Sequence, residues 1–306
     1  MAPRRAGRSR QVCLCLLMAG LASIYCGMHV YPQARSGSGK HQMRVFVTLS
    51  TMFLMCLLRT AYKLPGTVPQ SFKAGESRGE LPVHTREAKK TGDVRKCKWC
   101  GTLKPDRCHH CRACGACILK MDHHCPWIRS CVGFYNYKYF LQVLLYATTL
   151  CIFMSWTMGK STMRLMSGSA PLWLKAVMCF GEVLLILLSI ALALFASFHL
   201  RCVYHGQTTL EFCEKLRRST RPWNPDMYNL GPWQNFKAVF GPNPLLWLIP
   251  FGRPEGDGLS FPGCVHEEHA SQAAKVDGGI SSKVGLLSPV RRRPPANKDV
   301  LCSDQM

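Results

Sequence analysis

Acidic residues are scarce in this chain: 17 Asp and Glu stand against 39 Lys and Arg in 306 residues, a formal charge of +22. That imbalance fits anionic partners, namely nucleic acid, lipid headgroups or a phosphate-bearing substrate. Any nucleic-acid fold signature is also lacking, so nucleic acid is set aside. Charge is nearly missing from four long apolar blocks, which hold only Arg59 and Glu182, each near a block end. A conduction pathway needs ionisable groups along the membrane, so a transporter is disfavoured. A prenylation box is absent too, since the last four residues begin with Ser303 and leave Cys302 misplaced.

The apolar blocks are Val12–Tyr31, Val45–Tyr62, Tyr139–Met158 and Val177–Leu200. About 20 apolar helical residues cross a bilayer, so the fold expected is mainly α: a polytopic membrane protein with four transmembrane helices and no single large soluble core. Lys and Arg number 15 in 63–138 and 13 in 201–306, against three each in 32–44 and 159–176. The positive-inside rule then puts the N-terminus, the central segment and the C-terminal region in the cytosol. The basic start and the small residues Gly20 and Ala22 also compose a signal peptide. Either way the second span delivers 63–138 to the cytosol. The expected division is 1–62 (N-terminus and spans 1–2), 63–138 (cytosolic segment, its cysteine-rich part at about 95–138), 139–200 (spans 3–4), 201–251 (cytosolic) and 252–306. The last stretch is rich in Gly, Ser, Pro and charge and reads as a disordered tail.

Eighteen cysteines would fit a disulfide framework in a small secreted protein. Here eight of them crowd into 97–131 among four histidines, which fits metal-bound thiolates on a reducing face better. Cys97-Lys98-Trp99-Cys100 and Cys111-Arg112-Ala113-Cys114 are C-x-x-C knuckles, whose two-residue spacer brings both sulfurs to one tetrahedral ion. Two closed sites need eight ligands, and twelve candidates are present. The informative surplus is a thiol beside an imidazole, and Asp122-His123-His124-Cys125 sets a carboxylate, two imidazoles and a thiol in a row; read on its own, Cys125 is equally a redundant thiol or a further ligand. One histidine can bind metal while its neighbour takes the proton of Cys125 and Asp122 orients that neighbour.

The pattern Cys97-x2-Cys100-x9-His110-Cys111-x2-Cys114-x2-Cys117-x4-Asp122-His123-His124-Cys125-x5-Cys131-x4-Asn136-x3-Phe140 resembles the cysteine-rich domain of DHHC-type protein S-acyltransferases. Thr208-Thr209-Leu210-Glu211 is similar to that family's TTxE motif, and 224–241 to its C-terminal motif, with Asn235 at the Asn-aromatic step. The resemblance implies two structural zinc ions, one on Cys97, Cys100, His110 and Cys117, the other on Cys111, Cys114, His124 and Cys131. It implies Cys125 as the acylated nucleophile, His123 as its base and Asp122 as the group orienting His123. Thr209 would lie near Asp122, and Asn235 would brace the C-terminal segment. Cys108 is left as a passive thiol, and His109 as a group behind the ligands or on the surface.

Trp127 and Phe140 match positions at the mouth and wall of the acyl cavity. Lys104, Arg107 and Lys138 are candidates for the phosphates of acyl-CoA, with palmitoyl-CoA as co-substrate. The implied partners are membrane-associated proteins with cytosolic cysteines, within the lipid bilayer of the Golgi or another endomembrane. Two departures stand out: Arg129 and Ser130 replace a common pair of asparagines, and Leu64 replaces Asp in the turn after the second span.

Overall fold

The computed structural model describes residues 4–77, 86–87, 94–216 and 226–262. Four helical segments are long and apolar enough to cross a membrane: Gln11–Gln33, Gly37–Tyr62, Tyr137–Ser167 and Leu172–Tyr204. The first begins within α1 (Arg4–Tyr25) and continues through a π turn over Cys26–Val30 and a 3-10 turn over Tyr31–Gln33. The others are α2 (Gly37–Tyr62), α4 (Tyr137–Ser167) and α5 (Leu172–Tyr204). Ser36 caps α2 by accepting from the Gly39 amide at 2.9 Å. At 31 residues, α4 outruns the apolar block that marks it. It extends about 46 Å against a hydrocarbon core of about 30 Å, so its basic end, Lys160 and Arg164, projects beyond the lipid.

Helix α4 lies between α2 and α5, and α1 leans on α5. Apolar packing around Tyr25, Met154, Met158, Met178 and Leu185 fills the half away from the cysteine-rich segment. Polar groups buried there are paired across helices, as low dielectric requires. His29 bonds Ser161 and Gln42, each at 2.9 Å, and Ser155 donates to Glu182 at 2.6 Å.

Between α2 and α4 sits a small module. After the short helix α3 (Gln70–Ser77) it consists of two antiparallel hairpins, β1 (His109–Cys111) with β2 (Ala116–Ile118), and β3 (His123–Cys125) with β4 (Ser130–Val132). Such short strands cannot support a core of their own. Asn136 secures the module from above and below. It is fully buried, its amide nitrogen reaches the carbonyls of Cys131, Thr60 and Lys63, and its Oδ1 accepts from the Gly133 amide at 2.8 Å. One side chain thus joins the end of α2, the last cysteine of the module and the start of α4. Pro65 and Gly66 add carbonyl bonds to the amides of Tyr135 and Leu119. Gly66 has φ +99, and a Cβ there would stand 2.9 Å from the Tyr135 ring. Leu64, the departing residue in this turn, is exposed.

The chain leaves α5 through Gly206 into α6 (Thr209–Leu216) and then α7 (Pro232–Phe240). Asn235 on α7 donates to Tyr204 O at 2.8 Å, satisfying a carbonyl at the end of α5, and accepts from the Leu230 amide at 3.0 Å. Residues 252–262, read with the disordered tail, pack on the module instead. The Tyr135 hydroxyl donates to Asp257 O, and Phe261 meets Phe134 at 6.1 Å between ring centroids. Residues 263–306 lie outside the described set.

Candidate active site

Each hairpin sets a histidine directly across from a cysteine: His110 faces Cys117, and His124 faces Cys131. A knuckle from earlier in the chain closes each group. In the first, His110 Nδ1 lies 3.5 Å from Cys97 Sγ, 3.3 Å from Cys100 Sγ and 3.8 Å from Cys117 Sγ. In the second, His124 Nδ1 lies 3.5, 3.4 and 3.6 Å from the sulfurs of Cys111, Cys114 and Cys131. A zinc tetrahedron with ordinary bond lengths has edges of about 3.5–3.8 Å. The one-N, three-S donor sets therefore fit, and either group could hold a metal ion. Among the described residues no cysteine is in a disulfide.

The two groups are one pattern used twice. Cys97, Cys100, His110 and Cys117 reappear fourteen positions on as Cys111, Cys114, His124 and Cys131. Advanced once more, the first two positions become Cys125 and Ile128. Cys125 therefore opens a knuckle turn that lacks its second sulfur, and it belongs to neither metal group. In complete knuckles the backbone amide three residues on points at the first sulfur, Cys100 N to Cys97 and Cys114 N to Cys111, both at 3.4 Å. The amides of Trp127 and Ile128 bond Cys125 in the same manner. Burial raises the Cys125 thiol, but the hydrogen bond from His123 and these two amides outweigh it and bring the net shift below the ordinary value.

His123 precedes the second ligand histidine and turns the other way. Its Nδ1 lies 2.7 Å from Asp122 Oδ2, which leaves the remaining ring nitrogen for Cys125. Burial opposes its protonation, yet the bonds to Asp122 and Cys125 prevail and raise it to about 9. Asp122 is buried; burial would raise it, but His123 and the Thr209 amide hold it below the usual carboxylate range. The Thr209 amide donates to Oδ1 and its hydroxyl to Oδ2, both at 2.8 Å.

The TTLE stretch reads plainly once folded. Thr208 and Glu211 form a capping box on α6: the Glu211 amide donates to Thr208 Oγ1 at 3.2 Å, and the Thr208 amide to Glu211 Oε2 at 2.8 Å. Glu211 also accepts two bonds of 2.7 Å from Arg107, whose guanidinium lies 4.5 Å from the centre of the Tyr228 ring. Motif and module are thus bolted together at two points.

Two phosphate-contact candidates need correction. Arg107 is buried and engaged by Glu211 and Gly206 O, and Lys138 is buried on the carbonyls of Leu246 and Phe251. Neither presents a free cation, because each is an internal fastener. Lys104 is half-buried at the module surface. Phe140 packs edge-on against His123 at 5.0 Å in the apolar cluster that contains Cys125, and Trp127 is 49% exposed. Cys108 and His109 stay outside both metal groups. The pocket between the module and the C-terminal segment, lined by Arg107, Lys120, Tyr228 and Phe261 among others, does not include Cys125.

One neighbour of the site escaped sequence reasoning. His199 of α5 is buried with Nδ1 3.9 Å from Asp122 Oδ2 and 3.4 Å from the Tyr137 hydroxyl. Its signal was a lone imidazole in a span whose apolar block is otherwise interrupted by charge at Glu182.

The model of the DHHC palmitoyltransferase family matches residues 90–216. Probable protein S-acyltransferase 16 of Arabidopsis thaliana is 32% identical over 275 residues, 85% of this chain and 95% of that one. The chain belongs to the DHHC palmitoyltransferase family. Palmitoyltransferase ZDHHC2 of Mus musculus is 33% identical over 260 residues, 77% of this chain and 69% of the relative. Palmitoyltransferase ZDHHC15 of Mus musculus is 41% identical over 192 residues, 60% of this chain, and the chain spans 54% of that relative's length. The family match runs from the module through both later spans to α6, so it contains Asp122, His123 and Cys125, both candidate metal groups and the TTLE stretch.

Proposed function

We propose that this chain is a protein S-acyltransferase that moves a long-chain acyl group, palmitoyl, from acyl-CoA to cysteine thiols of membrane-associated proteins. The observation that carries the reading is a cysteine sulfur outside both metal groups, bonded by an imidazole that a buried carboxylate holds. In the first half-reaction the Cys125 thiolate attacks the carbonyl carbon of the acyl-CoA thioester. The carbon–sulfur bond to CoA breaks, and the CoA sulfur leaves with the proton held on His123. In the second, a substrate thiol gives its proton to His123 and attacks the Cys125 thioester, which releases Cys125 as thiolate. Asp122 keeps His123 in the orientation both transfers need.

Zinc on the two ligand sets would be structural. Cys97, Cys100, His110 and Cys117 would hold one ion, and Cys111, Cys114, His124 and Cys131 the other. The four spans give the chemistry its setting. Each methylene buried contributes about 0.8 kcal/mol, so moving a 16-carbon chain into water would cost on the order of 10 kcal/mol. Phe140 and the apolar cluster around Cys125 supply a lipid-like wall beside the reacting sulfur. Trp127 would meet the acyl chain at the mouth and Lys104 a CoA phosphate. The distribution of Lys and Arg supports a cytosolic site; the Golgi or another endomembrane follows from the family resemblance alone.

The test is incubation of the purified full chain with radiolabelled palmitoyl-CoA. Hydroxylamine-labile label on Cys125 is expected in the wild type and none in Cys125→Ala. Equal label in both, or none in zinc-replete wild type, overturns the reading.

A further inference from the structure

Outside the spans, exposed apolar side chains gather beside one helix. Residues 241–252, GPNPLLWLIPFG, contain no charge. Leu245 is 84% exposed, Leu248 64% and Phe251 50%. In water so concentrated an apolar surface would be a liability.

The main chain of this stretch is held by the third span. Lys138 Nζ donates to Leu246 O at 2.9 Å and Phe251 O at 2.5 Å. Gln142 Nε2 donates to Trp247 O at 2.9 Å and Ile249 O at 2.8 Å. The Tyr146 hydroxyl donates to Leu248 O and the Tyr139 hydroxyl to Gly252 O, both at 2.7 Å. Lys138, Gln142 and Tyr146 recur every four residues, which places them in one stripe along α4. At 1.5 Å per residue, Tyr146 lies about 12 Å farther along the span than Lys138. The stretch therefore descends beside α4, not across its end.

Carbonyls of a loop in water bond to water and need no such partners. In hydrocarbon each unpaired carbonyl is strongly unfavourable, so irregular backbone persists there only when protein groups satisfy it. Here six carbonyls are satisfied by side chains of the span, while the apolar side chains face away from the protein. Trp247 turns inward, with its indole on Gly241 O at 2.9 Å and its ring 5.7 Å from Phe240, and Pro250 is buried as well. Arg59, at the end of α2, lies 4.6 Å from the Phe251 ring centre and marks the polar margin.

The geometry points to residues 243–252 as a re-entrant segment embedded in the leaflet on the module's side, with Leu245, Leu248, Ile249 and Phe251 against lipid acyl chains. Lipid is the occupant because the surface continues the apolar flank of a membrane span and offers no charged group to a protein partner. The segment leads directly into residues 252–262, which pack on the module, so it ties the module to the bilayer at a point separate from the spans. This placement rests on the four spans and not on the acyltransferase reading.

The experiment uses the full chain in phosphatidylcholine nanodiscs, with p-benzoylphenylalanine in place of Leu248 and, separately, of Lys98, which is exposed on the first knuckle. After irradiation, mass spectrometry is expected to find phospholipid adducts at position 248 at least ten times as often as at position 98. Equal adduct yields, or adducts from 248 to a second copy of the chain, overturn the proposal. Hydroxyl-radical footprinting of the unsubstituted protein provides an independent reading. Leu245, Leu248 and Phe251 are expected to be protected to the level of span residues, while oxidation to the level of exposed Trp99 overturns it.

Discussion

Cys111 and Cys125 begin turns of the same kind fourteen positions apart, and only Cys111 meets a second cysteine three residues on. Where that cysteine is missing, backbone amides and His123 bond the sulfur and lower its pKa, the part a metal would play in a complete knuckle. Removing the imidazole by His123→Ala is expected to slow autoacylation by roughly 100-fold or more, the usual worth of a general base. Zinc content should stay at the wild-type level, which separates a lost base from a lost fold. Arg129 poses a different problem of the same scale: its φ is +53, a left-handed conformation that suits Asn or Gly far better than Arg. Arg129→Asn should therefore raise stability by roughly 1 kcal/mol, read as a higher thermal midpoint in detergent. The buried Arg107–Glu211 pair should show the opposite sign. Glu211→Gln leaves a buried guanidinium without its partner and is expected to destabilise by about 3–5 kcal/mol. The folded Glu211 carboxyl lies below its ordinary 4.5, so its stabilisation is complete above that pH and is lost as pH falls through the depressed value. Thermal midpoints taken from pH 7 down to pH 3 should fall more steeply in wild type than in the Gln variant.

At the scale of elements, the strands are too short to hold themselves, and the ligand groups decide whether they exist. Cys111→Ser should lower bound zinc from about two to about one ion per chain. Because β3 includes both His124 and Cys125, acylation should be lost with that ion although Cys125 itself is unchanged. Helix α6 is held less heavily at Thr209 than at Glu211. Thr209→Val keeps the amide bond to Asp122 and removes the hydroxyl bond, a loss of about 1–1.5 kcal/mol. Expressed in autoacylation rate that is about ten-fold, measurable by single-turnover labelling.

Across the whole molecule, coupling between membrane and module is concentrated in a few side chains. Asn136 bridges α2, the Cys131 carbonyl and the first turn of α4, and Asn235 fastens α7 to the end of α5. Knuckles, spans and the Asp-His-His-Cys run were legible in the sequence because each depends on local spacing. His199, Gln142 and the internal commitments of Arg107 and Lys138 were not, since a charged or polar side chain in a basic chain gives no sign of its partner. Arg107 finds Glu211 more than a hundred positions away, and the Lys138 ammonium meets carbonyls just as distant. Residues 252–262 were misjudged for the same reason: their composition is that of a free tail, and their order comes from rings of the module.

By itself the sequence determined the four spans, the two C-x-x-C knuckles and the Asp-His-His-Cys run, while the grouping of the ligands followed from the family resemblance. Hydrophobic length and two-residue spacers act over a few neighbours, and no fold is needed to read them. Tertiary structure alone decided which cations are free, what stands behind Asp122, and where the apolar stretch after α7 comes to rest. Those outcomes depend on burial, which is a property of distant segments meeting, and no short window of residues encodes it.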